Sequence, residues 1–486
     1  MDNSQQSIRK VDVAVIGAGS AGLPAFRAAR RHTENIVLIE GGNYGTTCAR
    51  VGCMPSKLLI AAAEAAHSIE TASKFGVYTS KPIINGHDVM RRVRSERDRF
   101  VGFVLESVEN IDPKQNFRGH ARFLDDHTIQ IEEKIIEAKS VVIATGSSPK
   151  LMPMFDGLGE HLVVNDDIFD WETLPESVAV FGPGVIGLEL GQALHRLGVR
   201  IRIFGLSGSL KPLSDMGIRN YAENLFKAEF PLDTKAKILG LKLENDQVKI
   251  CFVDCKNGEE KEEFFDFLLA ATGRFPNVND LGLENTKLEL DSLGVPLFNS
   301  ATMQCGNSSI FIAGDVNNDL PLLHEAADEG QIAGDNAGRF PDIKAGLRRS
   351  HVTVVFCAAS TFLRLKLASC HSLCSLTNML NCSATRSVIL DISYCLPSKL
   401  ITCGTCFSAF AIVTSYKKLD PMIKTYTPII IVVNLVSKRS NLASPLSKRF
   451  SIAEYRMLHS LSCASIFVNV SLTVAMDKLY VNPAQL

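Results

Sequence analysis

The chain has 486 residues, 46% of them hydrophobic and 21% charged, enough for two to four domains and more than one sizeable core. A formal net charge of -1 excludes a general electrostatic pull toward nucleic acid or anionic membranes. The opening stretch MDNSQQSIRKVDVAVIGAG carries no apolar signal core, so the expected compartment is the cytoplasm, where thiols stay reduced and disulfides are catalytic or transient.

Residues 11–16, VDVAVI, read as a strand that runs into GAGSAG and an alanine-rich helix, followed by a second strand, NIVLIE. That is a βαβ unit, and Gly17, Gly19 and Gly22 stand at its turn in the spacing G-x-G-x-x-G. The first glycine allows the tight turn, the second lets backbone approach a pyrophosphate, and the third lets helix and strand pack closely. Exposed N–H groups and the helix dipole would hold the phosphate charge. Glu40 ends the second strand, placed to accept hydrogen bonds from ribose hydroxyls. A glycine-rich turn in some other α/β protein is the plainer alternative.

Next comes GTTCARVGCMPSK, residues 45–57. The C-x4-C pair has the wrong spacing for a zinc knuckle and no second ligand pair nearby, so no metal site is expected. Pro55 suits a first helical turn, and LLIAAAEAAHSI continues it. Cys53 would therefore sit at a helix N-terminus, where the dipole favours thiolate. Lys57 falls one turn further on the same face and adds positive charge. Gly52 gives the backbone freedom to bring the Cys48 and Cys53 sulfurs together. The environment suits a redox-active pair; two inert buried cysteines are the alternative.

Helical stretches over 56–74 and 87–108 follow, then hairpin-like strands in HTIQIEEKIIEAKSVVIATGS. The βαβ opening returns at 177–204, SVAVFGPGVIGLELGQALHRLGVRIRIF, with Gly182, Gly184 and Gly187 in the same spacing. Two such openings one domain length apart predict an α/β fold with two tandem Rossmann-like dinucleotide-binding domains. In the second, the strand VRIRIF ends in Phe204 and Gly205, with no acid to grip a 2′-hydroxyl or repel a 2′-phosphate. Arg200 and Arg202 alternate along it, facing solvent or favouring a phosphate.

Near residue 350 the composition breaks. Residues 351–486 hold 13 Lys+Arg against 4 Asp+Glu, eight of the 13 cysteines and one glycine, Gly404, whereas the first 350 residues hold 38 basic against 48 acidic. Gain of Ser, Cys and Leu with loss of Gly and acids best fits an out-of-frame or otherwise aberrant carboxyl terminus. A membrane anchor over Leu400–Tyr416 is a second reading, though a span needs ~20 predominantly apolar residues. A zinc or redox module on Cys403-Gly-Thr-Cys406 is a third; Cys370, His371 and Cys374 do not repeat its spacing.

Over residues 10–357 the chain resembles the flavin-dependent pyridine nucleotide–disulfide oxidoreductases, and among them the dihydrolipoamide dehydrogenase branch. The motifs are the first glycine fingerprint, TCARVGCMPSK, VVIATGS, GVIGLELG, AATGRFPN and SIFIAGDVNN. Ser56 and Val185 look like the lipoamide branch rather than glutathione reductases, and the carboxyl-terminal cysteine pair of mercuric reductases is not visible. Thr46 departs from a usual glycine, and Arg50 from a usual asparagine.

The resemblance implies FAD, contacted by Gly17, Gly19, Gly22, Glu40, Thr47, Lys57, Thr145, Gly146 and Asp315, the last on the ribityl chain. It implies NAD, with NADP left open, at Gly182, Gly184, Val185, Gly187 and Gly273. Cys48 would be the interchange thiol and Cys53 the thiolate beside the flavin, with Lys57 paired to Glu189 near the flavin edge. From the residues alone Glu189 is a helix-surface acid and His324 a structural histidine. The implied domains are FAD-binding over 1–150 and 276–346, NAD(P)-binding over 151–275, and the position of a dimerisation domain over 347–486. The implied reaction takes electrons from free or protein-bound dihydrolipoamide through a Cys48–Cys53 disulfide and FAD to NAD+, in the service of a 2-oxoacid dehydrogenase complex. A glutathione or mercuric reductase type, or a non-catalytic flavin-binding remnant, is the alternative. Relatives supply a base from the dimerisation domain as H-P-T followed by glutamate. Here His351, His371 and His459 lack Pro-Thr, and Glu454 precedes His459, so no base is assigned and the homodimer is in question.

Overall fold

A computed structural model describes residues 8–255 and 257–348, together with one short parallel strand pair, Val433–Asn434 on Val470–Ser471, which is described by itself. The tail calls, from the dimerisation domain beyond residue 348 to the Cys403/Cys406 and Leu400–Tyr416 segments, lie outside these described residues. Among the described residues no helix is long and apolar enough to cross a membrane, and no group of His, Cys, Asp and Glu could hold a metal ion.

The chain begins with β1 (Arg9–Ile16), α1 (Gly22–Ala29) and β2 (Ile36–Glu40). Both strands are buried on both faces, which is why VDVAVI and IVLIE are nearly continuous apolar runs rather than alternating ones. A short helix α2 (Thr47–Val51) turns at Gly52 into α3 (Cys53–Thr71), and α4 (Gly86–Glu109) packs against α3. Asn85 caps α4 by accepting from the Asp88 N–H at 3.1 Å. Strands β3 (Asn116–Arg118), β4 (Ala121–Phe123), β5 (Thr128–Ile131) and β6 (Lys134–Ile143) follow. The sheet runs β3-β2-β1-β6-β5-β4, with the β5–β6 hairpin antiparallel and β1, β2, β3 and β6 parallel.

β7 (Ser147–Pro149) leaves this body, and β8 (Leu162–Val163), α5 (Asn165–Ile168), β9 (Ser177–Phe181), α6 (Val185–Arg196), β10 (Arg200–Phe204), α7 (Met216–Glu229) and β11 (Leu232–Asp233) build another. An antiparallel meander of β12 (Lys237–Glu244), β13 (Gln247–Val253) and β14 (Glu260–Phe265) precedes β15 (Phe267–Ala270). The second sheet is wholly parallel, ordered β11-β10-β9-β15-β8. Phe155, Phe181, Phe204 and Phe252 stack between it and the meander, with centroids 5.1–5.2 Å apart. The two edge-to-face pairs, Phe155–Phe181 and Phe204–Phe252, add about 0.5–1.5 kcal/mol each beyond their buried area.

β16 (Arg274–Pro276) pairs antiparallel with β7, carrying the chain back. β17 (Ile310–Ile312) then joins the first sheet beside β6, and α8 (Leu323–Arg339) packs against α1. One continuous apolar core contains Leu59, Ile60 and Ala63 of α3, Met90 and Val93 of α4, Val178 and Val180 of β9, and Leu188 of α6. That core leans α3, and the cysteine at its first position, on the second sheet's leading helix.

Candidate active site

The sequence-predicted site residues fall in two βαβ turns and in a cysteine pair at the head of α3. At the first turn Gly17 has φ +105°, and a Cβ on Gly22 would lie 1.7 Å from the Gly17 carbonyl oxygen, so no side chain fits. A Cβ on Gly19, by contrast, would meet nothing within 4 Å: this part of the turn opens outward. Glu40 closes the turn's edge, its carboxylate accepting from the Ala18 N–H and the Gly42 N–H, each at 2.7 Å.

The thiols of Cys48, in α2, and Cys53, the first residue of α3, are both free and hydrogen-bonded to each other. The two consequences oppose one another. The Cys48 thiol donates to the Cys53 sulfur and, with help from the Cys53 backbone N–H and the Lys57 charge, brings Cys53 down to about 7 against the opposition of burial and Glu189. Cys48 is pushed up, first by that same partner and then by burial. One thiol of the pair is thereby ionised far more readily than the other.

Lys57, one turn along α3, donates to the Glu189 carboxylate on α6, joining the two helices beside the pair. The cysteine loop owes its entry geometry to Thr46, a non-glycine residue at φ +60°, ψ +147°, whose hydroxyl accepts from the Ala49 N–H at 3.2 Å to cap α2. Arg50 lies against Gly45 and keeps a buried Nε without a hydrogen-bond partner. Thr47 is exposed at the start of α2.

After β6, the Thr145 hydroxyl donates to the Asn277 carbonyl at 2.7 Å, and Gly146 follows at φ +71°. Asp315 accepts from the Ser147 hydroxyl at 3.1 Å. Arg274, which sequence reasoning passed over inside AATGRFPN, donates to both the Ser147 hydroxyl, at 2.8 Å, and its carbonyl, at 2.5 Å. Glu329, likewise missed, is fully buried and accepts from the Gly314 N–H, at 2.8 Å, and the Asn317 amide, at 2.7 Å. It fixes the turn that presents Asp315, and burial raises its pKa above the usual carboxylate range. Neither residue had a local signal, because their partners lie far off in sequence or inside a turn. His324 stands on the first turn of α8, 3.7 Å from Glu325.

The second turn repeats the first. Gly182 has φ +109°, a Cβ on Gly187 would lie 2.0 Å from the Gly182 carbonyl oxygen, and a Cβ on Gly184 would meet nothing within 4 Å. Val185 opens α6, and Gly273, at φ +111°, accepts the Lys150 N–H at 2.9 Å. The arginines of β10 face acids. Arg202 donates to Asp233 at 2.6 Å, and Arg200 lies 3.6 Å from Glu263 with its guanidinium over the Phe265 ring.

A family model, that of the pyridine nucleotide-disulphide oxidoreductases, matches residues 11–330. The chain belongs to this family. Its members are flavoproteins that use FAD and NAD(P)H. A dihydrolipoyl dehydrogenase of Bacillus subtilis (strain 168) is 31% identical over 339 residues, covering 66% of this chain and 70% of the relative. One from Thermus scotoductus is 29% identical, covering 68% and 71%. A mercuric reductase of Staphylococcus aureus is 29% identical, covering 74% of this chain and 64% of its own. Among solved structures, an HOCl-induced flavoprotein disulfide reductase from Escherichia coli superposes with a TM-score of 0.56 at 20% identity, over 69% of this chain and 72% of that one. That likeness shows the α/β fold. The chain is thus an oxidoreductase of the flavoprotein disulfide type.

Proposed function

We propose that the chain is a dihydrolipoyl dehydrogenase-type enzyme, built on two tandem Rossmann-like domains. FAD would be bound by residues 1–150 and 276–346 and NAD(P) by residues 151–275. The observation that carries the reading is the hydrogen-bonded pair Cys48–Cys53, with its acidic member at the head of α3 between two glycine turns. The first turn fits FAD: the space beyond Gly19 is open to a pyrophosphate, and Glu40 is already held at the edge where a ribose would lie. Asp315, steadied by Ser147, is the residue for the ribityl chain, and Thr47, Thr145 and Gly146 line the same approach.

In the oxidised protein Cys48 and Cys53 form one disulfide. A dihydrolipoamide thiolate attacks the Cys48 sulfur; the protein S–S bond breaks, and its electron pair leaves on Cys53 as thiolate. The second substrate thiol loses its proton and attacks the substrate sulfur held on Cys48. Lipoamide closes as a disulfide, and Cys48 departs and takes up a proton. The protein has gained one electron pair and the substrate has lost one. Cys53 is suited to the leaving role because Cys48, the helix N-terminus and Lys57 all favour its charge. Lys57, oriented by Glu189, keeps positive charge beside that sulfur. When bound, FAD supplies the carrier that relays the electron pair to a nicotinamide.

The proton taken from the substrate needs a base, and no histidine after residue 350 stands in the H-P-T pattern. A general base contributes about 10²–10⁴ in rate, so lipoamide turnover is expected to fall short of an intact relative by that range. The test is anaerobic addition of dihydrolipoamide to the flavin-loaded protein. Slow bleaching of the flavin in the parent, absent in C48S, is the expected result. A flavin that never bleaches with dihydrolipoamide, yet bleaches with another thiol or with a nicotinamide alone, would remove lipoamide as the substrate.

A further inference from the structure

The two glycine turns of the chain differ at one linked pair of positions. In the first sheet Ile16 pairs with Ile39, and the Gly17 N–H donates to the Ile39 carbonyl at 2.7 Å. In the second, Phe181 pairs with Phe204, and the Gly182 N–H donates to the Phe204 carbonyl at 2.8 Å. The registers superpose, so the counterpart of Glu40 is Gly205 and the counterpart of Ala18 is Pro183. In the first turn the Ala18 N–H holds the Glu40 carboxylate. Proline has no N–H to offer, and a Cβ on Gly205 would lie 2.6 Å from Pro183 Cγ and 2.7 Å from the Thr234 carbonyl oxygen. The acid and its anchor are both gone, and the proline ring stands where the acid's stem would pass.

The acids nearby are already engaged: the Glu223 carboxylate accepts from the Thr234 hydroxyl at 2.9 Å and pairs with Lys227 at 2.6 Å. Asp233, one strand over, is buried; its carboxylate accepts from Arg202 at 2.6 Å and from the Cys255 thiol at 2.8 Å. The loop beyond Gly205 instead carries hydroxyls and a cation. Ser207 and Ser209 have their oxygens 3.3 Å apart. The exposed Lys235 lies along Gly208, its side chain 3.7 Å from where a Cβ would be, and makes no ion pair among the described residues. The edge at which a dinucleotide's adenosine 2′-position is read, the carboxyl end of the second strand of the βαβ unit, therefore has no carboxylate at the Glu40 position, its neighbouring acids Asp233 and Glu223 are both paired, and Lys235 is a cation without an ion pair among the described residues.

We propose that the Pro183–Gly205 pair makes the second turn indifferent to the 2′-phosphate, so that it takes NADP(H) as readily as NAD(H), with Lys235 as the residue that meets the phosphate. This rests on the reading of that turn as the nicotinamide dinucleotide site. Calorimetric titration of the flavin-loaded full chain with NAD+, NADP+, 5′-AMP and 2′,5′-ADP tests it by binding alone. NADP+ is expected to bind within about tenfold of NAD+, and 2′,5′-ADP at least as tightly as 5′-AMP. K235E, an exposed change, is expected to weaken NADP+ and 2′,5′-ADP by about tenfold. Tight NAD+ binding with NADP+ more than tenfold weaker in the parent would overturn the proposal while leaving the site's assignment intact. A K235E protein whose NADP+ affinity is unmoved would remove Lys235 from the phosphate. If neither dinucleotide binds, the site assignment falls, and the proposal with it.

Discussion

Cys53 draws its acidity from three sources of different reach: a thiol hydrogen bond, the first N–H of α3 and a lysine one turn on. The largest is the Cys48 thiol, which has a simple consequence. In the reduced protein, ultraviolet thiolate absorbance is expected to rise with a midpoint near pH 7, one thiolate per pair. In C48S the midpoint is expected to change little if the serine hydroxyl donates in place of the thiol, whereas C48A should shift it upward. An unshifted midpoint in C48A would mean that the helix and Lys57 suffice. Thr46 tests the backbone of the same loop. Its conformation belongs to a region that non-glycine residues occupy at about 1–3 kcal/mol, while its cap is worth about 1 kcal/mol over alanine and only a few tenths over glycine. T46G is therefore expected to raise the denaturant midpoint and T46A to lower it. Equal effects of the two would show that the strain is not there.

The elements that hold the site were legible in the sequence wherever a local pattern produced them. Both glycine turns, the helix starting at Cys53 and the β5–β6 hairpin follow from spacing and periodicity in one short window each. Apart from Lys57–Glu189, which the family resemblance implied, the cross-element polar links were not legible. Arg196 is one: almost wholly buried on α6, it donates to Glu64 on α3 and to Glu229 at the end of α7, at 2.6 Å for the latter. HRLG reads as an ordinary helix end, and nothing near residue 196 announces partners 132 and 33 positions away. Removing the arginine leaves two half-buried carboxylates without their shared partner, so R196A is expected to cost about 1–3 kcal/mol of stability. The pH dependence follows from the signs. In the parent, Arg196 lowers Glu229 against the opposing pull of burial, so that acid's contribution is present above the ordinary carboxylate range and is lost on acidification. Burial already raises Glu64 in the parent despite Arg196; without the arginine, burial and mutual repulsion raise Glu229 as well and Glu64 further, and R196A should regain part of its loss as pH falls toward 5. A variant whose deficit grows on acidification would contradict this.

At the scale of the molecule, the family pattern and the composition agree on a boundary. The family model ends at residue 330, relatives cover 66–74% of the chain, and the charge balance reverses after residue 350. What precedes that boundary contains two glycine turns, a thiol pair and the lysine–glutamate link between α3 and α6, the parts through which the proposed electron transfer runs, while the base for the substrate's proton is not among them. The Arg50 and Thr46 departures are local to the cysteine loop and leave that arrangement in place; the structure offers no reason for arginine at position 50. The most direct measurement is an anaerobic reductive titration of the flavin-loaded protein beside C53S. If the two sulfurs exchange electrons with the flavin, the parent consumes one electron pair per flavin more than the variant before reduction is complete. Equal consumption by both would contradict it.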